Sequence, residues 1–156
     1  MPLPLKLNPA LDVLPVYQPG RPIEEVAREL GLPFGSIDKL ASNENPLGPS
    51  PMAMEAVREA AGNMHLYPDG NCHYLRGKLA RKLVVEPENL IFGNGSNEVL
   101  ELLGHALLQP GDEIVIAQYC FVVYPIVGRL FGADVVSVPA KDYGHDLLGM
   151  LNAVTD

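Results

Sequence analysis

The chain has no tryptophan and only two cysteines among its 156 residues. Cys72 and Cys120 stand far apart with no paired spacing, which excludes a disulfide framework and suits a reducing compartment. Positive charge is also scarce: 11 Lys+Arg against 19 Asp+Glu leave a formal charge of -8. That balance argues against a sequence-independent grip on nucleic-acid phosphates. No apolar run is long enough to cross a bilayer, and the opening Met1-Pro2-Leu3-Pro4-Leu5-Lys6-Leu7-Asn8-Pro9 lacks the apolar core of a signal peptide. His65, His73, His105 and His145 show neither metal-ligand spacing nor a His-Glu-x-x-His helix, so surface roles are expected and no metal site. These absences together predict a soluble cytoplasmic protein with no nucleic-acid or membrane partner.

What remains is an ordinary globular composition, 47% hydrophobic, in a chain long enough for one sizeable core. Prolines punctuate residues 1–40, leaving only residues 23–30 as a helix, ended by Gly31; this stretch reads as an arm. The turn cluster Ala41-Ser42-Asn43-Glu44-Asn45-Pro46-Leu47-Gly48-Pro49-Ser50-Pro51 closes on a helix start, with Ser50 as N-cap and Pro51 at the first helical position. That helix runs to about Ala61. After Tyr67-Pro68-Asp69-Gly70, Leu75, Leu79 and Leu83 recur every four residues and predict a second helix with an apolar stripe.

From Asn89 onward short apolar runs alternate with helical patterns. Residues 90–92, 113–117 and 134–138 read as buried strands, with helices near 97–108 and 122–131 between them. The order βαβαβ, with connections long enough for crossover helices, predicts a parallel sheet covered on both faces. Ligands of such sheets collect at the carboxyl ends of the strands, which directs attention to two loops.

The first is Gly93-Asn94-Gly95-Ser96-Asn97-Glu98. Glycines allow a tight bend, and the first amides of the following helix, with the positive end of its dipole behind them, converge on one spot suited to a phosphate. A dinucleotide fingerprint would need glycine where Glu98 stands, and a P-loop would need a Gly-Lys-Ser/Thr run that is absent. The same letters also fit an ordinary loop with Gly95 or Ser96 as N-cap. The second loop, Gln118-Tyr119-Cys120-Phe121, offers an aromatic: Phe121 serves either as a stacking partner for a flat ligand or as a core residue at the head of a helix. Asn43, Glu44 and Asn45 offer two amides and a carboxylate to a polar substrate group, and turn formation explains them equally well. Tyr67, held extended by Pro68, projects outward or is a plain turn residue.

Taken in order, the segments 41–51, Tyr67-Pro68-Asp69-Gly70, Gly93-Asn94-Gly95-Ser96-Asn97-Glu98 and Pro110-Gly111-Asp112 resemble the histidinol-phosphate aminotransferase family. That family consists of fold-type I enzymes dependent on pyridoxal 5′-phosphate (PLP), and the likeness covers about residues 38–140. The resemblance implies residues 1–48 as N-terminal arm and small-domain segment, and 49–156 as the first part of a three-layer PLP-binding large domain, mostly parallel sheet with helices on both faces. It implies that Gly95, Ser96 and Asn97 hold the cofactor phosphate, that Phe121 stacks on the pyridine ring, and that Tyr67 reaches the cofactor phosphate of a partner subunit in a homodimer. The turn of Asn43, Glu44 and Asn45 would line the substrate pocket. Two positions depart from the family pattern: Asn97 stands where aspartate is frequent, and Gln118-Tyr119-Cys120 replaces a more proline-rich run.

The activity so implied is transamination between histidinol phosphate and 2-oxoglutarate in histidine biosynthesis, with a phosphorylated amino compound and a 2-oxo acid as small-molecule partners. The family's Schiff-base lysine, its pyridine-nitrogen aspartate and its carboxylate-binding arginine lie further along than Asp156. Lys6, Lys39, Lys78, Lys82 and Lys141 match no Schiff-base position. The chain therefore resembles an N-terminal portion, somewhat under half, of such an enzyme, with no catalytic residue of its own and no turnover expected. The competing expectations are a non-catalytic phosphate-binding or assembly module, and a related aromatic-amino-acid aminotransferase or threonine-phosphate decarboxylase.

Overall fold

A computed structural model describes residues 7–14 and 16–155. The proline run of residues 1–6 with Lys6, Pro15 and Asp156 lies outside the described residues. The chain divides into two units, residues 18–75 and residues 1–17 with 76–156, the division falling within one helix.

In the first of these, α1 (Ile23–Leu30) follows Pro22 and ends at Gly31, whose φ of 65 lets the Leu32 amide return to the Ala27 carbonyl at 2.9 Å. Arg21 bonds Glu25 and Glu29 along this helix, and both carboxylates raise its pKa, the Glu29 hydrogen bond contributing most. α2 (Pro51–Ala60) begins where expected, but the Ser50 side chain makes no capping hydrogen bond. Met52 and Val57 on α2 are exposed. α3 (His73–Leu83), which spans the division, forms as its leucine period predicts, yet the residue it buries is Ala80, while Leu75 and Leu83 are exposed. The stripe shapes a helix before anything covers it.

The second unit carries the sheet. α4 (Ser96–Leu107) leads into β1 (Glu113–Ala117), α5 (Val123–Leu130), β2 (Asp134–Val138) and α6 (Leu147–Asn152). β1 and β2 are parallel, in register from Glu113 opposite Asp134 to Ala117 opposite Val138. Beyond the strand ends the pairing continues through Gln118 N–H to the Val138 carbonyl at 2.8 Å. β1–α5–β2 is thus the crossover unit that parallel strands require. The chain thus holds a small parallel sheet with helices.

One expected strand is absent. Residues 90–92 are extended, with Leu90 at φ -110 and ψ 130, but form no ladder among the described residues. A strand is a pairing, and apolar letters alone cannot supply the neighbour. Accordingly, the expected βαβαβ order reduces to βαβ among the described residues, and the strand residues of β1 are half-buried apart from the exposed Glu113 and buried Ala117. Another departure is that the short 3₁₀ turn Pro9–Asp12, capped by the Asn8 side chain, packs against α5 within the same unit.

Packing around α5 depends on small residues. A Cβ on Gly128 would collide with the Ile114 side chain and lie 3.4 Å from Val135, so glycine is what lets α5 lie on both strands. On α4, a Cβ at Gly104 would strike the Phe131 ring and come within 3.0 Å of Val127. His105, expected at the surface, is exposed and stacks edge-on with Phe131 at 4.6 Å. Among the described residues the buried apolar set is Ala27, Ala80, Ala117, Ala133 and Val138. Gly128→Ala should therefore destabilise this unit by about 1–3 kcal/mol through overpacking. Urea midpoints should show the drop, whereas Gly62→Ala, with no atom within 4 Å of its added Cβ, should change little.

Candidate functional site

The glycine loop is shaped from both sides. Before it, Arg76 on α3 donates through Nη1 to the carbonyls of Pro87 at 2.8 Å and Leu90 at 2.6 Å. Its guanidinium carbon also lies 4.9 Å from the centroid of the Phe92 ring, a cation–π contact. Both bonds come from one nitrogen, and with them Arg76 holds the 3₁₀ turn of residues 87–89 and the extended Leu90 that follows it toward the bend. Within the bend the Gly95 amide donates to the Gly93 carbonyl at 2.8 Å. Gly95 then caps α4 at φ 81 and ψ 174, a conformation closed to residues with a Cβ, which settles the N-cap in favour of Gly95 over Ser96.

At the far side of the bend, Glu98 Oε2 accepts from the Asn94 amide at 2.5 Å and from Asn94 Nδ2 at 3.1 Å. The amides of Ser96 and Asn97 have no hydrogen-bond partner among the described residues and lie at the positive end of a twelve-residue helix. Gly95, Ser96 and Asn97 are all exposed, and no heavy atom lies within 4 Å of the Cβ position at Gly95. Two unpaired amides, a hydroxyl and a carboxamide form a donor set that fits a phosphate ester.

At the carboxyl end of β1, Gln118 Oε1 accepts the Ala140 amide at 3.3 Å, and the chain turns through Cys120 N–H to the Ala117 carbonyl at 3.1 Å. Phe121 is half exposed and makes a T-shaped contact with Tyr17, centroids 6.1 Å apart. It shares a concavity of about 420 Å³ with Tyr119, Cys120, Tyr124, His145 and Met150. Tyr119 is 80% exposed and is a second aromatic at this crevice that the sequence reading passed over; its place directly after Gln118 was the available signal. A roomier concavity of about 660 Å³ lies at the opposite ends of the strands, beside Gly111, Asp112, Glu113, Asp134 and Thr155. Its three carboxylates disfavour an anionic ligand, so size does not select it.

The remaining sequence-predicted residues belong to the other unit. Asn45 spends its side chain on its own turn, accepting from the Leu47 amide at 3.0 Å and donating to the Gly48 carbonyl at 3.2 Å. Glu44 pairs with Lys39 at 2.7 Å, and Asn43 takes a left-handed φ of 50. Tyr67 is fully exposed. Behind it, Asp69 organises the entry to α3, accepting the Asn71 amide at 3.0 Å and the His73 amide at 2.8 Å. Those bonds, the one from His73 first, hold the Asp69 carboxyl below its ordinary pKa. Cys72 and Cys120 are free thiols, both half-buried, and no cluster of His, Cys, Asp and Glu among the described residues could hold a metal. No helix among the described residues is long and apolar enough to cross a membrane.

The pattern of the aminotransferase class I and II family matches residues 37–156. Histidinol-phosphate aminotransferase from Methylobacillus flagellatus is 55% identical over 140 residues, covering 90% of this chain and 38% of that protein. The Moorella thermoacetica enzyme of the same name is 49% identical over 150 residues, 96% of this chain and 38% of its own length. Among solved structures, histidinol-phosphate aminotransferase from Sinorhizobium meliloti in complex with pyridoxal-5′-phosphate aligns over 96% of this chain and 39% of its own, with a TM-score of 0.77 and 29% identity. The chain thus spans about two fifths of the length of the curated relatives it matches.

Two outcomes follow from the local geometry. Arg76→Met should cost about 1.5–3 kcal/mol, the worth of hydrogen bonds to a charged group, and hydrogen exchange should show residues 87–92 loosening first. The Asp69 contribution is present above the ordinary carboxyl pKa and is lost as pH falls through the lowered folded value. Protection of the His73 amide should therefore persist at neutral pH and disappear in acid, while Asp69→Ala should abolish it at every pH.

Proposed function

The chain belongs to the aminotransferase class I and II family, and on that premise we propose that it carries the cofactor-phosphate portion of a PLP-dependent histidinol-phosphate aminotransferase. The observation that carries the reading is the pair of unpartnered amides, Ser96 and Asn97, opening α4 behind a glycine cap. In this reading Gly95 leaves room for the phosphate, and the Ser96 and Asn97 amides donate to it. The Asn97 carboxamide adds a neutral donor where the family frequently has aspartate, and repels the phosphate less. Phe121 lies against the pyridine ring and keeps water from one face. When bound, PLP supplies an electron sink for the amino-group transfer.

Tyr67 reaches the cofactor phosphate of the partner subunit in a homodimer, and its full exposure leaves it available for that. Asn43, Glu44 and Asn45 border the substrate, with Asn45 shaping the turn and Glu44 the more adaptable group. Residues 1–48 act as arm and small-domain segment, and 49–156 as the first part of the large domain. The amino donor is histidinol phosphate, the acceptor 2-oxoglutarate, and the setting the cytoplasm. None of Lys6, Lys39, Lys78, Lys82 and Lys141 serves as the covalent anchor for the cofactor, so the 156 residues alone bind without turning over.

Titration of the chain with PLP, with pyridoxal lacking the phosphate, and with inorganic phosphate tests the proposal. PLP and phosphate should compete and should move the Ser96 and Asn97 amide resonances, while pyridoxal should bind far more weakly. Phe121→Ala should weaken PLP binding roughly 2–12-fold, the equivalent of an aromatic stack, and leave inorganic phosphate unaffected. Unmoved Ser96 and Asn97 resonances would refute the phosphate seat. Loss on Tyr119→Ala with none on Phe121→Ala would move the stack to Tyr119.

A further inference from the structure

A carboxylate beside an anion seat is electrostatically adverse, and Glu98 stands three residues into the helix whose first amides are proposed to hold a phosphate. Its side chain does not take those amides. Glu98 Oε2 accepts instead from both donors of Asn94, the amide at 2.5 Å and Nδ2 at 3.1 Å. In a capping box the third helical residue returns to the amide of the N-cap. Here that amide, Gly95 N–H, is already engaged by the Gly93 carbonyl at 2.8 Å, so Glu98 reaches one residue further back. The reach is possible because Gly93 has no side chain: a Cβ there would lie 3.0 Å from Glu98 Oε2, 3.0 Å from Val99 Cγ2 and 3.3 Å from the Val99 amide.

From this arrangement we infer that Glu98 is a positioning residue for the phosphate loop, acting through Asn94 and made possible by Gly93. By holding both Asn94 donors it fixes the bend between residues 93 and 96 and leaves the Ser96 and Asn97 amides as the pair that faces a ligand. Its negative charge is offset locally by those two donors. What the loop requires of position 98 is an acceptor of this reach, with or without charge. The inference deepens the proposed function and rests on the reading of Gly95, Ser96 and Asn97 as the phosphate seat.

Four variants separate geometry from charge: Glu98→Gln keeps the acceptor without charge, Glu98→Asp keeps the charge with less reach, Glu98→Ala keeps neither, and Gly93→Ala blocks the approach. Two measurements apply to each, the affinity for PLP and for inorganic phosphate, and hydrogen exchange at the Asn94 amide and along α4. Glu98→Gln should bind both ligands within about threefold of the parent chain and protect the Asn94 amide. Glu98→Ala, Glu98→Asp and Gly93→Ala should each lose about tenfold in affinity and expose the Asn94 amide, with exchange in the middle of α4 unchanged.

Parental affinity in Glu98→Ala would overturn the positioning role while leaving the phosphate seat standing. Tighter binding in both Glu98→Gln and Glu98→Ala would show a competing charge and would also overturn it. Loss in Glu98→Ala with general exposure of α4 would reduce Glu98 to helix stability alone. If the parent chain itself binds neither PLP nor phosphate, the seat fails and the positioning role fails with it.

Discussion

Backbone carbonyls withdrawn from water must find donors, and between residues 87 and 92 the Arg76 side chain supplies two such bonds, beside the Leu90 amide that donates to the Pro87 carbonyl at 3.2 Å. Arg76 bonds the carbonyls of Pro87 and Leu90 and lies over the ring of Phe92. A lysine in its place would bring a compact ammonium without the planar guanidinium that lies over the Phe92 ring. The turn so held leads through Leu90 and Phe92 to Gly93, where the bend, the Gly95 cap and the first turn of α4 come next. The chemistry assigned to the loop therefore begins at a residue that touches none of it.

Anion recognition in a chain of net charge -8 depends on short range. Surface carboxylates a Debye length away, about 8 Å at physiological ionic strength, are largely screened, whereas unpartnered amides at a helix start act at hydrogen-bond distance. Selection between concavities follows the same logic. The roomier one, lined by Asp112, Glu113 and Asp134, presents carboxylates at close quarters, and the one beside Phe121 presents aromatic surface. In the proposed reading, local donors and rings, and not net charge or volume, select the place for a phosphorylated aromatic ligand.

The packing of α5 shows how little bulk the contacts tolerate. Gly104 and Gly128 permit helix-to-helix and helix-to-strand approach at distances a methyl group would prevent, and the buried apolar residues among those described are four alanines and Val138. Bulky apolar side chains such as Met52, Val57 and Leu83 stay exposed, since the described residues offer them no facing surface. The arrangement accords with a chain that spans about two fifths of its relatives' length.

Local rules were readable from the letters because each needs only its neighbours in sequence. The bounds of α1 with its Gly31 cap, the Pro51 start of α2, and both strands of the parallel pair agree with the spacing of apolar, glycine and proline residues. So does the glycine bend ahead of α4, and the ordered motifs carried the family. Pairing and occupancy were not readable, because they depend on what arrives from elsewhere in the chain. Residues 90–92 have the letters of a strand and no ladder partner among the described residues, the leucines of α3 have the period of a core and little cover, and Arg76 acts across a gap of fourteen residues that no motif encodes. Sequence sets what each segment can form; only tertiary contact decides which donors, acceptors and apolar faces are already spoken for, since hydrogen bonds and burial are properties of pairs.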